Sequence, residues 1–422
     1  MIDYAQALRL MLASVSPLPS RRVALEAASG AVLAEPVDSP QDLPPFDNSA
    51  MDGFALATAG SEIPVGSEFD VHGRLAAGDS GERSVHGVWE IMTGAPMPVG
   101  LDSVVPVEQV EVLARDAGGA RRIGLRQSLR PGQNVRLRGQ DVAAGARVLG
   151  AGTRLGINEC TVLHALGVGH VVVRAAPTVA VLATGHELVA DVHAPLAPGR
   201  IHDSNRPYLV DRLCAAGADL AWQGVIGDEA KQFDAALDQA LAAGAGIVVS
   251  TGAVSQGCHD FIPDALRARG AEQVFHQVAV RPGKPVLFAR LPGGTLYFGL
   301  PGNPLSAAAG QRFFVEPVLR RLLGLAEETP LYLPLREAVG KRAGMRLHAI
   351  ARVEFDPRLG LGVRVLPRQE SFRLTTLLQG NAWVVADEAD AVVAAGTPVR
   401  VHGWGHFDPV RLEMASEASD VD

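Results

Sequence analysis

Cysteine is scarce in this chain: Cys160, Cys214 and Cys258 are three in all, far apart and odd in number. That pattern supports neither a disulfide framework nor a zinc site, and it fits a reducing cytoplasm. Positive charge is also short. The formal net charge is −8, so no broad basic face is expected and nucleic acid is not an expected partner. No apolar run approaches the roughly 20 residues a membrane helix needs. The opening MIDYAQALRLML holds Asp3 and has neither a basic leader nor a cleavage site, so no signal peptide is expected.

Turn chemistry is what the chain has in quantity. With 46 Gly and 28 Pro beside 47% hydrophobic residues, it reads as an ordered chain of tight turns and short strands. Its 422 residues are enough for two to four domains with large cores. Near the start, Tyr4, Ala7, Leu8, Met11 and Leu12 share one helical face, and 23–28 reads as a strand turning into a short helix over 27–34. Between 45 and 140 the pattern predicts a β-rich module with strands at 69–74, 87–92, 103–106 and 122–125. A helix at 158–166 and a strand at 168–174 follow.

From Pro177 the pattern is regular. Continuous apolar runs at 179–183, 220–226 and 247–250 suit buried parallel strands. Helices at 205–216, capped by Ser204 or Asn205, and at 229–243 alternate with them. This predicts a doubly wound α/β sheet. Beyond 330 the helices stop, and strands at 331–339, 345–355, 362–366, 382–386 and 398–402 predict a small β-barrel or sandwich. The expected organisation is α/β and β multidomain. A helical and mixed N-terminal domain takes 1–45 and 141–176, and a β-rich insert takes 46–140. An α/β domain (177–328), a C-terminal β-barrel (329–410) and an acidic tail (411–422) complete it.

Open α/β sheets bind ligands beyond the carboxyl ends of their strands. The loops predicted there are Thr184-Gly185-His186-Glu187, Gly227-Asp228, and the run from Thr251 and Gly252 through Ser255 to Asp260. Two more follow: Arg281-Pro282-Gly283-Lys284 after a strand at 277–280, and Pro301-Gly302-Asn303 after a strand at 295–298. The last opens an apolar helix at 306–323, beginning with Ser306. Glycine and serine amides at a helix start, with two cations on a stiff turn, make an anion site suited to phosphate. Carboxylates on the same rim (Glu187, Asp228 and Asp260) repel phosphate unless a divalent cation lies between, so they imply Mg²⁺, with Glu187 and Asp228 as its expected ligands. Helix capping is the alternative for each carboxylate, and Asp228 stands where the helix at 229–243 needs an N-cap.

Two further clusters lie in the β-rich module. One is PPFDNSAMDGFA (44–55), too polar for a core strand, with Asp47 and Asp52 placed to form turns. The other is RPGQNVRLRGQD (130–141), in which Arg136 and Arg138 alternate to one face of an extended segment and could grip an oxyanion.

These runs, with TGAPMP, ATGHEL, TGAVS-x-G, RPGKP and GLPGNPLSA, resemble the molybdopterin molybdenumtransferase family of MoeA and the gephyrin E domain. The match runs in order over nearly the whole chain. It implies an elongated cytoplasmic homodimer of four-domain subunits, with an MoCF-type α/β domain. The implied reaction takes adenylylated molybdopterin and molybdate, with Mg²⁺, and leaves molybdenum on the dithiolene with release of AMP. Carried over by motif, Asp52, Asp141, Glu187, Asp228 and Asp260 are the implied catalytic acids. Arg136, Thr184, Gly185, Thr251, Gly252, Ser255, Arg281, Lys284, Pro301, Gly302, Asn303 and Ser306 are the implied substrate contacts. The family's site lies between the α/β domain of one subunit and the β-rich domain of the other. Three departures stand out: Ala253, Gln256, Cys258 and His259 within the glycine-rich loop, His186 where Asp is common, and 369–372 in place of a glycine-bearing turn. A non-catalytic pterin carrier or scaffold is the alternative function, and nicotinamide-nucleotide hydrolysis a third.

Overall fold

The structure is a computed structural model that describes residues 1–80, 86–117, 119–254, 261–389 and 391–414. It divides into two compact units. One comprises Met1–Arg21, Gly30–Ala34 and Val172–Asp422, and the other Arg22–Ser29 with Glu35–Val171. The first helix, α1 (Tyr4–Ala13), belongs to the larger unit. Asp3 caps it by accepting the Gln6 N–H at 2.7 Å, and Tyr4, Ala7 and Met11 are buried along the face that their spacing predicts.

The smaller unit is built on a six-stranded sheet. Its strands are β1 (Gly53–Leu56), β2 (Glu68–Leu75), β3 (Val88–Ile91), β4 (Ser103–Pro106), β5 (Val110–Asp116) and β6 (Gly119–Leu125), in the order β4-β1-β3-β2-β6-β5. Residues alternate between its faces: Phe54 and Leu56 enter one apolar cluster, and Ala55 enters the other with Ile91 and Val104. A helix, α2 (Ile157–Ala165), follows, with Glu159 accepting the Gly156 N–H at 3.0 Å. Two expectations are corrected here. The end of the 44–55 run is a fully buried central strand, β1, because the polar part stops at Asp52. The helix at 27–34 is absent: a short 3₁₀ turn (Leu25–Ala27) ends near Gly30, whose φ of 81° breaks the helix.

The larger unit holds the α/β sheet. Strands β7 (Thr178–Thr184), β8 (Asp219–Ile226), β9 (Ile247–Thr251), β10 (Glu272–His276), β12 (Leu287–Arg290) and β13 (Leu296–Leu300) run in the order β8-β7-β9-β13-β12-β10. The strand between β10 and β12 in the chain is β11 (Val280–Arg281). The first four in the sheet order are parallel, β12 runs antiparallel to β13, and β10 runs antiparallel to β12. Val179 and Val181 enter one core cluster with Leu209 and Leu213 of α3 (Asn205–Ala215). Ala180 and Leu182 enter the other with Phe233 and Leu237 of α4 (Ala230–Ala242) and with Ile262 and Leu266 of α5 (Ile262–Ala268). Both faces are therefore covered, which is why these strands read as unbroken apolar runs. Each fully buried aliphatic or aromatic side chain here contributes about 1.5–3 kcal/mol. The chain leaves β7 for β8 on one side and later returns to β9 on the other, so the strand order reverses between β7 and β9.

The expected strand at 277–280 is also corrected. Gln277 has a φ of 72° and ends β10, and β11 pairs with the C-terminal sheet instead. That sheet contains β14 (Leu331–Pro334), β15 (Arg346–Asp356), β16 (Gly360–Val365), β17 (Ala382–Ala386) and β18 (Pro398–His402), ordered β15-β17-β18-β14 with β16 beside β15. A bridge joins Leu335 to Val363. Before it, one helical run comprises α6 (Pro304–Gly310), a π turn (Gln311–Val315) and α7 (Glu316–Leu322). Among the described residues no helix is long and apolar enough to cross a membrane.

Candidate functional site

Strand order reverses between β7 and β9, the point at which open α/β sheets bind ligands, and the loops at their carboxyl ends are stitched together by hydrogen bonds. The Thr184 hydroxyl donates to the Thr251 carbonyl at 3.0 Å, and the Gly252 N–H donates to Leu300 O at 3.1 Å. Gly252 has a φ of 88°, and a Cβ there would lie 2.6 Å from the Thr184 carbonyl oxygen. Only glycine fits that contact. Thr184 and Thr251 are buried, so their role in this geometry is to hold two loops together under the exposed residues.

The charge lies on the exposed Glu187 and the half-buried Asp228. Glu187 and Asp228 both stand on the rim. The Glu187 carboxylate folds back over Gly185, where a Cβ would come within 2.5 Å of it. Asp228 does not cap α4. The N-cap residue is Glu229, without a side-chain bond, while Asp228 accepts the His186 N–H at 3.1 Å. That contact corrects the capping alternative and joins the two acidic loops. It uses the backbone of residue 186, so it does not depend on the side chain there being His. Among the described residues no three His, Cys, Asp or Glu side chains form a metal cluster. Two oxygen donors on an open rim suit Mg²⁺, which keeps several waters and relies on substrate phosphates for the rest of its shell.

On the neighbouring strands, β12 begins where β13 ends, so the turn before it returns to the same rim: Leu287 pairs with Gly299. Lys284 is exposed there and makes no ion pair among the described residues. A Cβ on Gly283 would lie 3.4 Å from Ser306 O, which sets the lysine turn beside the start of α6. Arg281 is exposed on β11, paired to Leu347. Pro301 is buried, whereas Gly302 and Asn303 are exposed. Asn303 occupies the N-cap position of α6 without making a side-chain bond to it, and the Leu305 N–H donates to Ser371 O at 3.0 Å. Ser306 is buried. Ser255, Asp260 and Cys258 lie outside the described residues.

The rim also contains residues the sequence reading missed. Asp203, not Ser204 or Asn205, accepts the Arg206 N–H at the start of α3 (3.1 Å), and it pairs with the Arg206 guanidinium at 2.8 Å. Asn205 instead reaches across to Gly302 O at 2.7 Å. Arg200 donates to the His186 carbonyl. The signal available was the polar run Asp203-Ser204-Asn205 at a helix start, longer than a single N-cap requires.

In the smaller unit, three motifs distant in sequence meet. Asp52 Oδ1 accepts both the N–H and the hydroxyl of Thr93 at 2.7 Å, and these bonds hold its carboxyl below the usual range. Val135–Arg136 pairs antiparallel with Asn48–Ser49, and the Ala50 N–H donates to Asn134 O at 2.9 Å. Asp141 is exposed, its N–H donating to Leu43 O at 2.9 Å. The paired grip expected of Arg136 and Arg138 is corrected. Arg138 is engaged by Asp42, and its N–H by Asp47, whereas Arg136 is exposed and has no ion pair among the described residues.

A doubly wound sheet with acids and glycine turns at its switch point, and an exposed lysine further along the same edge, places the chain among α/β proteins whose ligand side is the carboxyl ends of the strands. The comparisons with known proteins narrow this class. Residues 2–167 match the family model described as the MoeA N-terminal region (domain I and II), and 180–321 match that of a probable molybdopterin binding domain. A Synechococcus elongatus protein named molybdopterin molybdenumtransferase is 36% identical over 95% of this chain and 99% of its own length. Molybdopterin molybdenumtransferase 2 of Mycobacterium tuberculosis is 34% identical over 90% of this chain and 94% of its own. The crystal structure of a molybdopterin biosynthesis MoeA protein from Pyrococcus horikosii superimposes with a TM-score of 0.77 at 26% identity, covering 96% of this chain and 99% of that one. The chain belongs to the molybdopterin molybdenumtransferase family.

Proposed function

We propose that this protein transfers molybdenum from molybdate to adenylylated molybdopterin, with release of AMP. The observation that carries the reading is the α/β rim, where Glu187 and Asp228 are held away from any helix cap and Lys284 stands exposed beside the start of α6. Lys284 binds a phosphate of the pterin nucleotide, with Gly302 and Asn303 forming the turn beside it. Glu187 and Asp228 hold Mg²⁺, which when bound screens the carboxylates from the substrate's anionic oxygens. In the smaller unit, Thr93 engages Oδ1 of Asp52, which leaves Oδ2 without a hydrogen-bond partner among the described residues. Together with Arg136 and Asp141 it orients the substrate, and the protein works as a homodimer in the cytoplasm.

The direct test supplies purified protein with adenylylated molybdopterin and follows AMP. Release that requires both molybdate and Mg²⁺ is the expected outcome. Binding of the pterin nucleotide with no turnover under any metal condition would instead identify a carrier. Lys284→Ala should weaken pterin-nucleotide binding by at least about 1.5 kcal/mol, the low end for a hydrogen bond to a charged group. A lowered melting temperature with unchanged affinity would make that lysine structural.

A further inference from the structure

The larger unit contains a second concave site, away from the switch-point loops, enclosed by α1, α7, the segment after α7 and the ends of β15 and β18. Its volume is about 770 Å³, within the range of small-molecule sites. Six arginines line it: Arg9, Arg312, Arg320, Arg321, Arg346 and Arg400. The lining carboxylates are only Glu327 and Glu328. On a chain with a net charge of −8, such a concentration of one sign is a local inversion of the field.

The ion pairs do not use all of this charge. Arg312 is buried and fully engaged, with Glu316 at 3.1 Å and Glu328 at 2.6 Å. Arg346 and Arg400 share one carboxylate, that of Asp387. Arg9, Arg320 and Arg321 take part in no ion pair among the described residues. Arg320 has only the Ala326 carbonyl, and its Nε is buried without a partner. Burial lowers the pKa of both Arg320 and Arg346, so like charges are held together against desolvation and mutual repulsion. His402 on the same wall is neutral near pH 7, because burial pushes its pKa down. Leu8, Leu12, Pro317 and Leu325 supply an apolar wall, and Arg346 lies 4.3 Å above the Tyr4 ring. A small inorganic ion would leave that wall in contact with water.

We infer that this cavity is a second ligand site, which takes a phosphorylated organic anion with two or more negative charges and an apolar body. The exposed Arg9 and Arg321 meet its phosphates at the mouth, and the half-buried Arg320 lies behind them. The site is independent of the rim, so rim and cavity variants separate the two.

ADP is a suitable probe, since it joins a diphosphate to a planar aromatic base whose faces can lie against the apolar wall. Calorimetry on the full-length Lys284→Ala variant removes the rim's lysine from the measurement. The expected result is one saturable ADP site per chain that survives Lys284→Ala. It should weaken at least tenfold in Arg9→Glu/Arg321→Glu, with citrate binding less tightly than ADP. Both charge reversals are at exposed positions, so the melting temperature should hold. Arg320→Met, which keeps the side chain's bulk, provides a second reading of the same loss. Absence of a saturable site, affinity unchanged in both cavity variants, or citrate binding as tightly as ADP would overturn the inference.

Discussion

The α/β rim and the Asp52 region of the smaller unit both present acids on turns, but they hold them by different means. On the rim, position follows from topology. Parallel strands end together, the chain order reverses between β7 and β9, and Glu187 and Asp228 are carried to the crevice by the strands before them. Around Asp52, position follows from individual bonds: Thr93 to Asp52, Arg138 to Asp42, and Asn134 to Val104 O at 2.9 Å. Sites of the first kind tolerate loss of one contact better than sites of the second.

The largest test of that difference replaces charge without shape. Asp228→Asn and Glu187→Gln should each reduce turnover on the order of 100-fold, the scale of one electrostatic contact in a catalytic site. Each should raise the Mg²⁺ requirement and leave the melting temperature nearly unchanged. Asp52→Asn should also cut turnover, but with faster amide hydrogen exchange at Thr93, because an amide oxygen is a weaker acceptor than a carboxylate. Normal Mg²⁺ dependence in the rim variants, with only a shifted pH profile, would indicate proton transfer in place of metal holding.

The same contrast decides how much was legible in the sequence. Strands buried on both faces are continuous apolar runs, so β7, β8 and β9 were readable to within one residue at each end, and their loops located the rim. The smaller unit hid more. β1 lay at the end of a polar run, and its glycine gave no apolar signal: a Cβ at Gly53 would sit 2.0 Å from Val105 O. The Arg138–Asp42 pair joins residues 96 apart, and no local pattern announces such a contact. Arg281 misled in another way, since its β-like run belongs to the C-terminal sheet and not to the α/β one.

A steric change should next be costly on the rim. Gly252→Val places a branched side chain at a φ of 88° and directs its Cβ at the Thr184 backbone. A loss of about 2–3 kcal/mol is expected, combining backbone strain with a displaced loop. Chemical denaturation measures it, and a loss below about 0.5 kcal/mol would show that the rim loops can separate freely.

Acid should then distinguish the two units. In the larger one, burial pushes His406 down to about 3, and burial likewise holds His348 well below its ordinary value. An unfolded histidine takes a proton near pH 6.5. As pH falls from there toward 3, the unfolded state therefore binds more protons than the folded one, and stability is lost progressively. For His406 the loss at pH 5 is roughly 2 kcal/mol. In the smaller unit, Asp52 is held low by the Thr93 N–H and hydroxyl, and Asp42 by the Ala144 N–H and Arg138. Their stabilisation is intact above the normal carboxylate range and is lost only as pH falls below it. Hydrogen exchange at pH 7 and pH 5 should show the larger unit loosening first. Equal loosening of both units would remove the buried histidines as the cause.

The smallest expected effect concerns Ala253, in the loop after β9. Its φ is 50°, in the left-handed region, where an alanine Cβ costs about 1–2 kcal/mol relative to its normal conformations. Gly252 immediately before it is fixed by contact with Thr184, so the chain has little freedom to rotate the strain away. Ala253→Gly removes the Cβ but adds conformational freedom to the unfolded chain, worth about 0.5–1 kcal/mol in the opposite direction. A net gain of about 0.5 kcal/mol should remain, seen as a rise of roughly 1–2 °C in Tm. Because the strain sits in a loop of the rim proposed to take the substrate, pterin-nucleotide affinity provides the sharper measurement. A stabilised variant that binds less tightly would show that Ala253 holds the loop in its binding conformation, whereas unchanged affinity would make the alanine a cost borne by the fold alone.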